Sequence, residues 1–161
     1  MNSRSQFPAL RVVALVGLAL ALGTGLALTQ QEDEAALKAR LKKLDAGPKT
    51  LDVSKYPADQ QAAYPLVSKK CSKCHSFARV INTPMVLPGD WERYIKRMVY
   101  KPDSKMTEAD GKKIFHFLVY DASVRKADSL RVHLASLPTE KREEALERIH
   151  GLNPAFPLAP K

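Results

Sequence analysis

Two segments in the second half of the chain carry apolar side chains at the spacing of an α-helix. In the first, one face is apolar and the opposite face is charged: the apolar set is Trp91, Tyr94, Ile95, Met98 and Val99, and the charged set is Glu92, Arg93, Lys96 and Arg97. This pattern predicts an amphipathic helix with Asp90 as N-cap, ending near Lys101-Pro102. In the second, Thr107 caps a helix that runs to about Ala122 and packs through Ile114, Phe115, Phe117, Leu118 and Val119.

Weaker helical patterns precede these two segments. Residues 31–45 carry acids first and bases later, with leucines at spacings of four and three, which predicts a helix ended by Gly47-Pro48. Residues 58–64 predict a short helix that stops before Pro65. Residues 66–75 predict a helical turn with both cysteines on one face.

The chain continues with two more helical patterns, at residues 127–137 and 140–150, the second ended by Gly151. Residues 152–161 are rich in Pro and Ala and predict an extended end. No segment alternates between apolar and polar side chains as a strand does. The predicted fold class is therefore all-α.

The N-terminus has a different pattern. Residues 12–28 are an uninterrupted run of Val, Ala, Leu, Gly and Thr, preceded by Arg4 and Arg11 without any acid. The length of this run lies between that of a signal-peptide core and the shortest spanning helix, so it predicts either a signal peptide or a membrane anchor. Because arginines precede the run and acids follow it, we expect the rest of the chain to be extracytoplasmic, in the periplasm.

The chemistry of the chain is concentrated in Cys71-Ser72-Lys73-Cys74-His75. A Cys-x-x-Cys-His motif indicates covalent attachment of one haem, because each thiol can add to one vinyl group and the adjoining imidazole then lies under the iron. A structural zinc site would need four N or S ligands, but the chain has only two cysteines, and its other histidines, His116, His133 and His150, form no close pair. A redox dithiol would be expected beside a βαβ pattern, which is not found.

Residues 56–126 resemble a class I, single-haem cytochrome c domain, of the short bacterial type with a Trp-x6-Met helix after the haem motif. The resemblance covers under half of the chain and rests on three features: Cys71 to His75, Trp91-x6-Met98, and Pro102 to Met106 leading to Ile114-x-x-Phe117-Leu118. It implies a helical fold around one haem c, His75 and a methionine as the axial iron ligands, and one-electron transfer.

With this resemblance the chain divides into four predicted parts. Residues 1–28 are the signal peptide or anchor, 29–55 a stalk or linker, 56–126 the cytochrome c domain, and 127–161 a helical and Pro-rich C-terminal extension.

Three methionines compete for the sixth position of the iron. Met98 ends the Trp-x6-Met pattern and is the preferred ligand, Met106 in the connection before the next helix is the alternative, and Met85 is only ten residues past His75. A thioether opposite a histidine raises the reduction potential and closes the iron to small molecules. Trp91 and Arg79 are candidates for contacts with the haem propionates, Trp91 through its indole N–H and Arg79 through its charge.

The charge of the chain bears on its partners. The formal net charge is +9, of which Arg4 and Arg11 in the export segment contribute two, so that the remainder is still basic at +7. The basic residues that flank the haem motif are Lys69, Lys70, Lys73, Arg93, Lys96, Arg97, Lys101 and Lys105. We expect them to steer the chain to an acidic redox protein, the alternatives being a solvated surface or attraction to anionic lipid. Nucleic-acid binding is not expected without a recognisable module.

The function predicted from these features is that of an electron carrier and not of an enzyme, working between extracytoplasmic or membrane redox partners. Residues 12–28 allow for membrane association. The alternatives are a haem subunit of a larger oxidoreductase, or a haem site that binds or transforms a small molecule at an open sixth position.

Overall fold

The structure, a computed structural model, describes residues 33–157. The predicted export segment at residues 1–28 and residues 158–161 lie outside the described residues. The chain divides into two units, Met1–Lys43 and Leu44–Lys161. Described residues 33–43 of the first unit all belong to helix α1, residues 33–45, whose last two residues belong to the second unit.

The second unit contains six more helices among the described residues. They are α2 (Ala58–Cys71), α3 (Phe77–Ile81), α4 (Pro88–Val99), α5 (Glu108–Arg125), α6 (Ala127–Ala135) and α7 (Thr139–His150). No strand occurs in residues 33–157, so the all-α prediction is confirmed for the part of the chain that the structure describes. None of the helices in this part is long and apolar enough to cross a bilayer.

Helix α5 lies at the centre of the second unit and packs against α2, α4, α6 and α7. Its apolar positions Ile114, Phe117 and Leu118 are buried as predicted, whereas Phe115 is only partly covered. Tyr64 of α2 stacks on Phe117 with a ring separation of 5.7 Å. Helix α5 is therefore the element against which most helices of this unit pack.

Two predicted helix boundaries were wrong for reasons connected with proline. Helix α2 continues through Pro65, which is exposed, as is Gln61 four residues earlier. Proline has no N–H to bond the carbonyl oxygen of the residue four positions earlier, which here is Gln61. Because Gln61 is exposed, water can bond this oxygen instead. Helix α4 begins at Pro88 and not after Asp90, because the fixed φ of proline suits the first helical position. Asp90 lies in the first turn instead.

The C-terminal residues also differ from the prediction. Residues 152–157 form turns and do not extend, because Phe156 is buried at 3% exposure and its carbonyl oxygen lies 2.9 Å from His150 Nε2. Asn153 donates a 2.8 Å hydrogen bond to Ser123 of α5. Together with the packing of α6 and α7 on α5, these contacts fold the C-terminal segment back onto the helical unit.

The N-terminus of α5 carries a charge that should make stability depend on pH. Thr107 and Asp110 form a capping box, and Lys70 of α2 donates a 2.7 Å bond to Asp110. The bond from Lys70, helped by the Thr107 N–H, lowers the pKa of Asp110 from 3.8 to about 2. A lowered carboxyl pKa contributes stability above pH 4 that is lost as the pH falls towards 2.

We therefore expect Asp110→Asn to reduce the free energy of unfolding by about 1 kcal/mol at pH 7, since the site is close to solvent. Urea denaturation at a series of pH values should show this difference shrinking towards zero between pH 4 and pH 2. Asp128→Asn is the matched control, because that carboxylate is fully exposed and pairs only with Arg131 in its own helix. A loss that stays constant over this range would show that the charge of Asp110 is not responsible.

Candidate functional site

The Cys-x-x-Cys-His motif lies at the junction of α2 and α3. Cys71 is the last residue of α2, and residues 72–74 form a turn that carries Cys74 and His75 outside the helix. The prediction of a helical turn over residues 66–75 was therefore wrong beyond Cys71, although both cysteines line one cavity. The two thiols are instead presented from a helix end and from the turn that follows it.

Ser76 explains why the helix cannot continue through the motif. Its side chain accepts a 3.1 Å hydrogen bond from Arg79 N–H as the N-cap of α3, which requires an extended backbone at φ −64° and ψ 144°. Ser76 also donates to Asp45, and Arg79 donates two bonds to the same carboxylate, at 2.5 and 3.1 Å. These contacts fix the start of α3 and hence the direction in which the chain leaves the motif.

A cavity brings the predicted haem-binding residues together. It is lined by Cys71, Cys74 and His75 of the motif, by Met98 of α4 and by Met106 of the connection between α4 and α5. Ile95 and Ile114 contribute apolar surface to the same cavity. Residues that carry two thiols, one imidazole and two thioethers thus line one cavity, although they come from three separate parts of the chain.

The hydrogen bonds of His75 define its tautomer. Its Nδ1 lies 3.2 Å from the carbonyl oxygen of Ser76, which can only accept, so Nδ1 carries the proton. Its Nε2 then accepts a 2.9 Å bond from the Tyr94 hydroxyl. Burial raises the pKa of Tyr94 to about 12, which keeps this hydroxyl protonated at neutral pH. The lone pair of His75 is therefore on Nε2, where it accepts from Tyr94, another residue of the cavity lining.

The two thiols differ in accessibility. Cys71 is 8% exposed, and burial raises its pKa to about 12. Cys74 is exposed, and both cysteines are free. At neutral pH Cys71 is consequently a protonated thiol in an apolar environment, whereas Cys74 can be reached from solvent.

The other residues proposed from the sequence lie outside the lining of this cavity. Met85 is partly buried against the hydrophobic core. Arg79 is engaged by Asp45, as described above. Trp91 is buried on α4 one turn before Tyr94, and the two rings meet edge to face with centroids 6.1 Å apart.

Trp91 supplies a test of whether the site suits a haem. Its indole N–H is buried and has no hydrogen-bond partner among the described residues. An unsatisfied buried donor costs about 1 to 3 kcal/mol, so an acceptor is expected at this position. A haem carries carboxylates that could accept this bond, and the cavity supplies thiols, an imidazole and thioethers. The residues therefore fit the group in their chemistry.

The space in the cavity is smaller than the ring of a haem. The side chains leave room for about one water molecule. His75 Nε2, the atom that would bind iron, is bonded to Tyr94. Haem binding would thus replace this hydrogen bond and require the cavity to widen.

Sequence reasoning placed Tyr94 only on an apolar helix face and missed its contact with His75. The spacing of residues could have placed Tyr94 with the site residues, because it lies one turn after Trp91 and one turn before Met98 on the same face of α4. The sequence does not show which element that face meets.

No protein-family model matches this chain significantly, and neither does any curated protein or solved structure.

Proposed function

We propose that the chain is a single-haem c-type cytochrome that transfers one electron at a time between extracytoplasmic or membrane redox partners. One observation carries the proposal: Cys71, Cys74 and His75 of the attachment motif line the same cavity as Met98 and Met106. The resemblance of residues 56–126 to short bacterial cytochromes c supports the same function.

Each residue has a distinct task in this proposal. Cys71 and Cys74 hold haem c through two thioethers, and His75 and Met98 are the axial ligands, with Met106 as the alternative to Met98. Haem c supplies an iron centre that gains and loses single electrons. Ser76 fixes the tautomer of His75 through its carbonyl group, as a neighbour of a metal ligand commonly does.

The cellular location is part of the proposal. Residues 1–28 would deliver the chain across the cytoplasmic membrane and either be removed or remain as its anchor. In both cases the cysteines reach the periplasm, where a covalently attached haem cannot be lost by dissociation.

The test is to export the full chain in a host that attaches haem c and to examine the purified protein after denaturation. We expect one haem per chain that stays with the polypeptide in acidified acetone and raises its mass by one haem. Cys71→Ser combined with Cys74→Ser should abolish covalent attachment. Ser72→Ala, inside the motif but without a proposed haem contact, is the matched control.

An exported wild-type chain without haem, or with haem that acid extracts, would contradict the proposal. Copurification of the haem-bearing chain with a larger oxidoreductase would instead favour the subunit alternative.

Surface charge near the cavity supports a further part of the proposal, steering towards an acidic partner. Lys101 lines the cavity, and Lys69, Lys73, Lys101 and Lys105 are exposed and make no salt bridge with a described residue. By contrast, Lys70 is paired with Asp110, and Arg93 with Asp90. Lys96 and Arg97 are likewise exposed and form no salt bridge with a described residue. The charges of these basic side chains are therefore not compensated by a bonded carboxylate in the described part of the chain.

We expect oxidation of the reduced protein by ferricyanide, an anion, to slow roughly tenfold as ionic strength rises from about 0.01 to 1 M, because salt shortens the Debye length. Lys73→Gln combined with Lys101→Gln should lower the low-salt rate and flatten the salt dependence. Lys141→Gln on α7 removes an exposed lysine that does not line the cavity and should behave as wild type. A wild-type rate that is independent of salt would contradict steering.

A further inference from the structure

The last turn of α1 and the segment that follows it are bonded to both ends of α3, the short helix after the Cys-x-x-Cys-His motif. At the start of α3, Asp45 accepts a hydrogen bond from the Ser76 hydroxyl group. At its end, the Asn82 side chain donates to two backbone carbonyl oxygens of the same segment, both at 3.0 Å. Residues 44–56, here called the strap, therefore hold α3 at both of its ends.

The strap has a fixed path along the helical unit. Gly47 lies so close to Asn82 that a Cβ atom at this glycine would be 2.4 Å from the Asn82 Nδ2 atom. Further along, the Leu51 N–H donates a 3.0 Å bond to the Tyr64 hydroxyl of α2, and Tyr56 at the far end is buried. The position of Asp45 is thus set by contacts on both sides of α3 and on α2.

Ser76 connects the strap to His75. Its carbonyl oxygen accepts from His75 Nδ1 at 3.2 Å, while its hydroxyl group accepts from the Arg79 N–H and donates to Asp45. Because carbonyl and hydroxyl belong to one residue, bonds that hold the hydroxyl also restrict where the carbonyl oxygen can lie. Hydrogen bonds from Arg79 and Ser76 lower the pKa of Asp45, so this carboxylate is charged at neutral pH.

We propose that Asp45 is a positioning residue for His75, which acts through Ser76 and thereby tunes the reduction potential of the haem. The inference rests on the proposed function and adds to the site a residue outside the cytochrome c resemblance. A hydrogen bond to the outer nitrogen of a histidine ligand raises its basicity, and a more basic ligand favours ferric iron. Loss of Asp45 also leaves the positive charge of Arg79, four residues after His75, without its partner. Both effects raise the potential.

The test is the reduction potential of the exported, haem-loaded full chain, measured by spectroscopic titration at pH 7. We expect Asp45→Ala to change the equilibrium constant for reduction about threefold, which raises the potential by about 30 mV for one electron. Asp45→Glu keeps the charge and the acceptor oxygens and should restore most of the wild-type potential. Asp52→Ala is the matched control and should leave the potential unchanged, because that exposed carboxylate of the strap accepts only from Ser54 among the described residues.

A double-mutant cycle with Ser76→Ala separates positioning from the field of the carboxylate. Because Asp45 acts through Ser76, Asp45→Ala should shift the potential less in the Ser76→Ala chain than in the wild type. Asp45→Asn takes the place of Asp45→Ala if far-UV circular dichroism shows that the alanine chain has lost its helices.

Three results with a haem-loaded chain would overturn the inference and leave the haem proposal in place. They are an unchanged potential in the Asp45 variant, an equal shift caused by Asp52→Ala, and an equal shift of the Asp45 variant with and without Ser76. A wild-type chain that carries no haem would overturn both the inference and the proposed function.

Discussion

Replacing Asp121 with alanine is expected to lower the free energy of unfolding by about 3 kcal/mol. Asp121 is 1% exposed, lies one turn before the end of α5, and accepts hydrogen bonds from Tyr56 at 2.9 Å and from Arg125 at 2.7 and 3.0 Å. Removal of the carboxylate leaves the buried Tyr56 hydroxyl without its acceptor and the partly exposed Arg125 without its counterion. The cost of an unsatisfied buried donor is therefore added to the loss of a partly buried ion pair.

The effect should be large because this contact joins several elements. Arg125 also donates a 2.7 Å bond to the carbonyl oxygen of Ile81 at the end of α3, and Tyr56 precedes α2. Burial, reinforced by the negative charge of Asp121, raises the pKa of the Tyr56 hydroxyl, which therefore remains a donor. One side chain of α5 thus holds the segment before α2 and, through Arg125, the end of α3.

Urea denaturation at pH 7 measures this loss. Tyr56→Phe, which removes one donor and leaves the ion pair, should cost only about 1 kcal/mol. Asp128→Ala, at a fully exposed carboxylate, should be close to neutral. A loss below 1 kcal/mol for Asp121→Ala would mean that solvent replaces the network easily.

The contrast between local and long-range contacts explains which parts of the fold could be predicted. Helices α4 and α5 follow from periodic apolar positions and from the Thr107 cap, both of which are local in sequence. The Asp121 network joins residues 65 positions apart, and the Arg79 to Asp45 pair joins residues 34 apart. No periodicity encodes such contacts, because they depend on how the helices pack.

The same distinction applies to the candidate site. The motif from Cys71 to His75 was recognisable from its spacing, and Met98 and Met106 were candidates through the family resemblance; all of them line one cavity, whereas Met85 does not. The end of α2 at Cys71 was not predicted, because the cap that redirects the chain, Ser76, is in turn bonded to Asp45 on a distant element.

Met98→Ala is expected to remove the weak sulfur-to-iron absorption band at the red end of the oxidised spectrum and to lower the reduction potential, because a thioether ligand raises it. Met98 and Met106 line the same cavity, so position alone does not choose between them. Met98 belongs to α4 and lies one turn after Tyr94 and Ile95, so the helical backbone fixes the position of this residue at the cavity.

Met106 lies in a loop, the connection between α4 and α5. It follows Asp103 and Lys105, both with positive φ, at 63° and 51°. Its own N–H donates a 3.3 Å bond to Ser104 Oγ, and the Lys105 carbonyl oxygen accepts from Lys70. Left-handed backbone at non-glycine residues is retained only where surrounding contacts impose it, so this loop has a defined shape of its own. With Met98 as the proposed ligand, this loop lines the cavity without holding the iron, so we expect Met106→Ala to keep the band.

Absorption spectra of the oxidised and reduced haem-loaded variants, with carbon monoxide added to the ferrous forms, separate the assignments. Wild type and Met106→Ala should keep the band and bind carbon monoxide slowly, whereas Met98→Ala should lose the band and bind carbon monoxide at once. Met85→Ala is the control, since that thioether is packed against the core away from the cavity lining. Loss of the band only in Met106→Ala would move the ligand to the loop. Rapid carbon monoxide binding by a wild type without the band would favour a haem that binds small molecules over an electron carrier, because the sixth position would then be open.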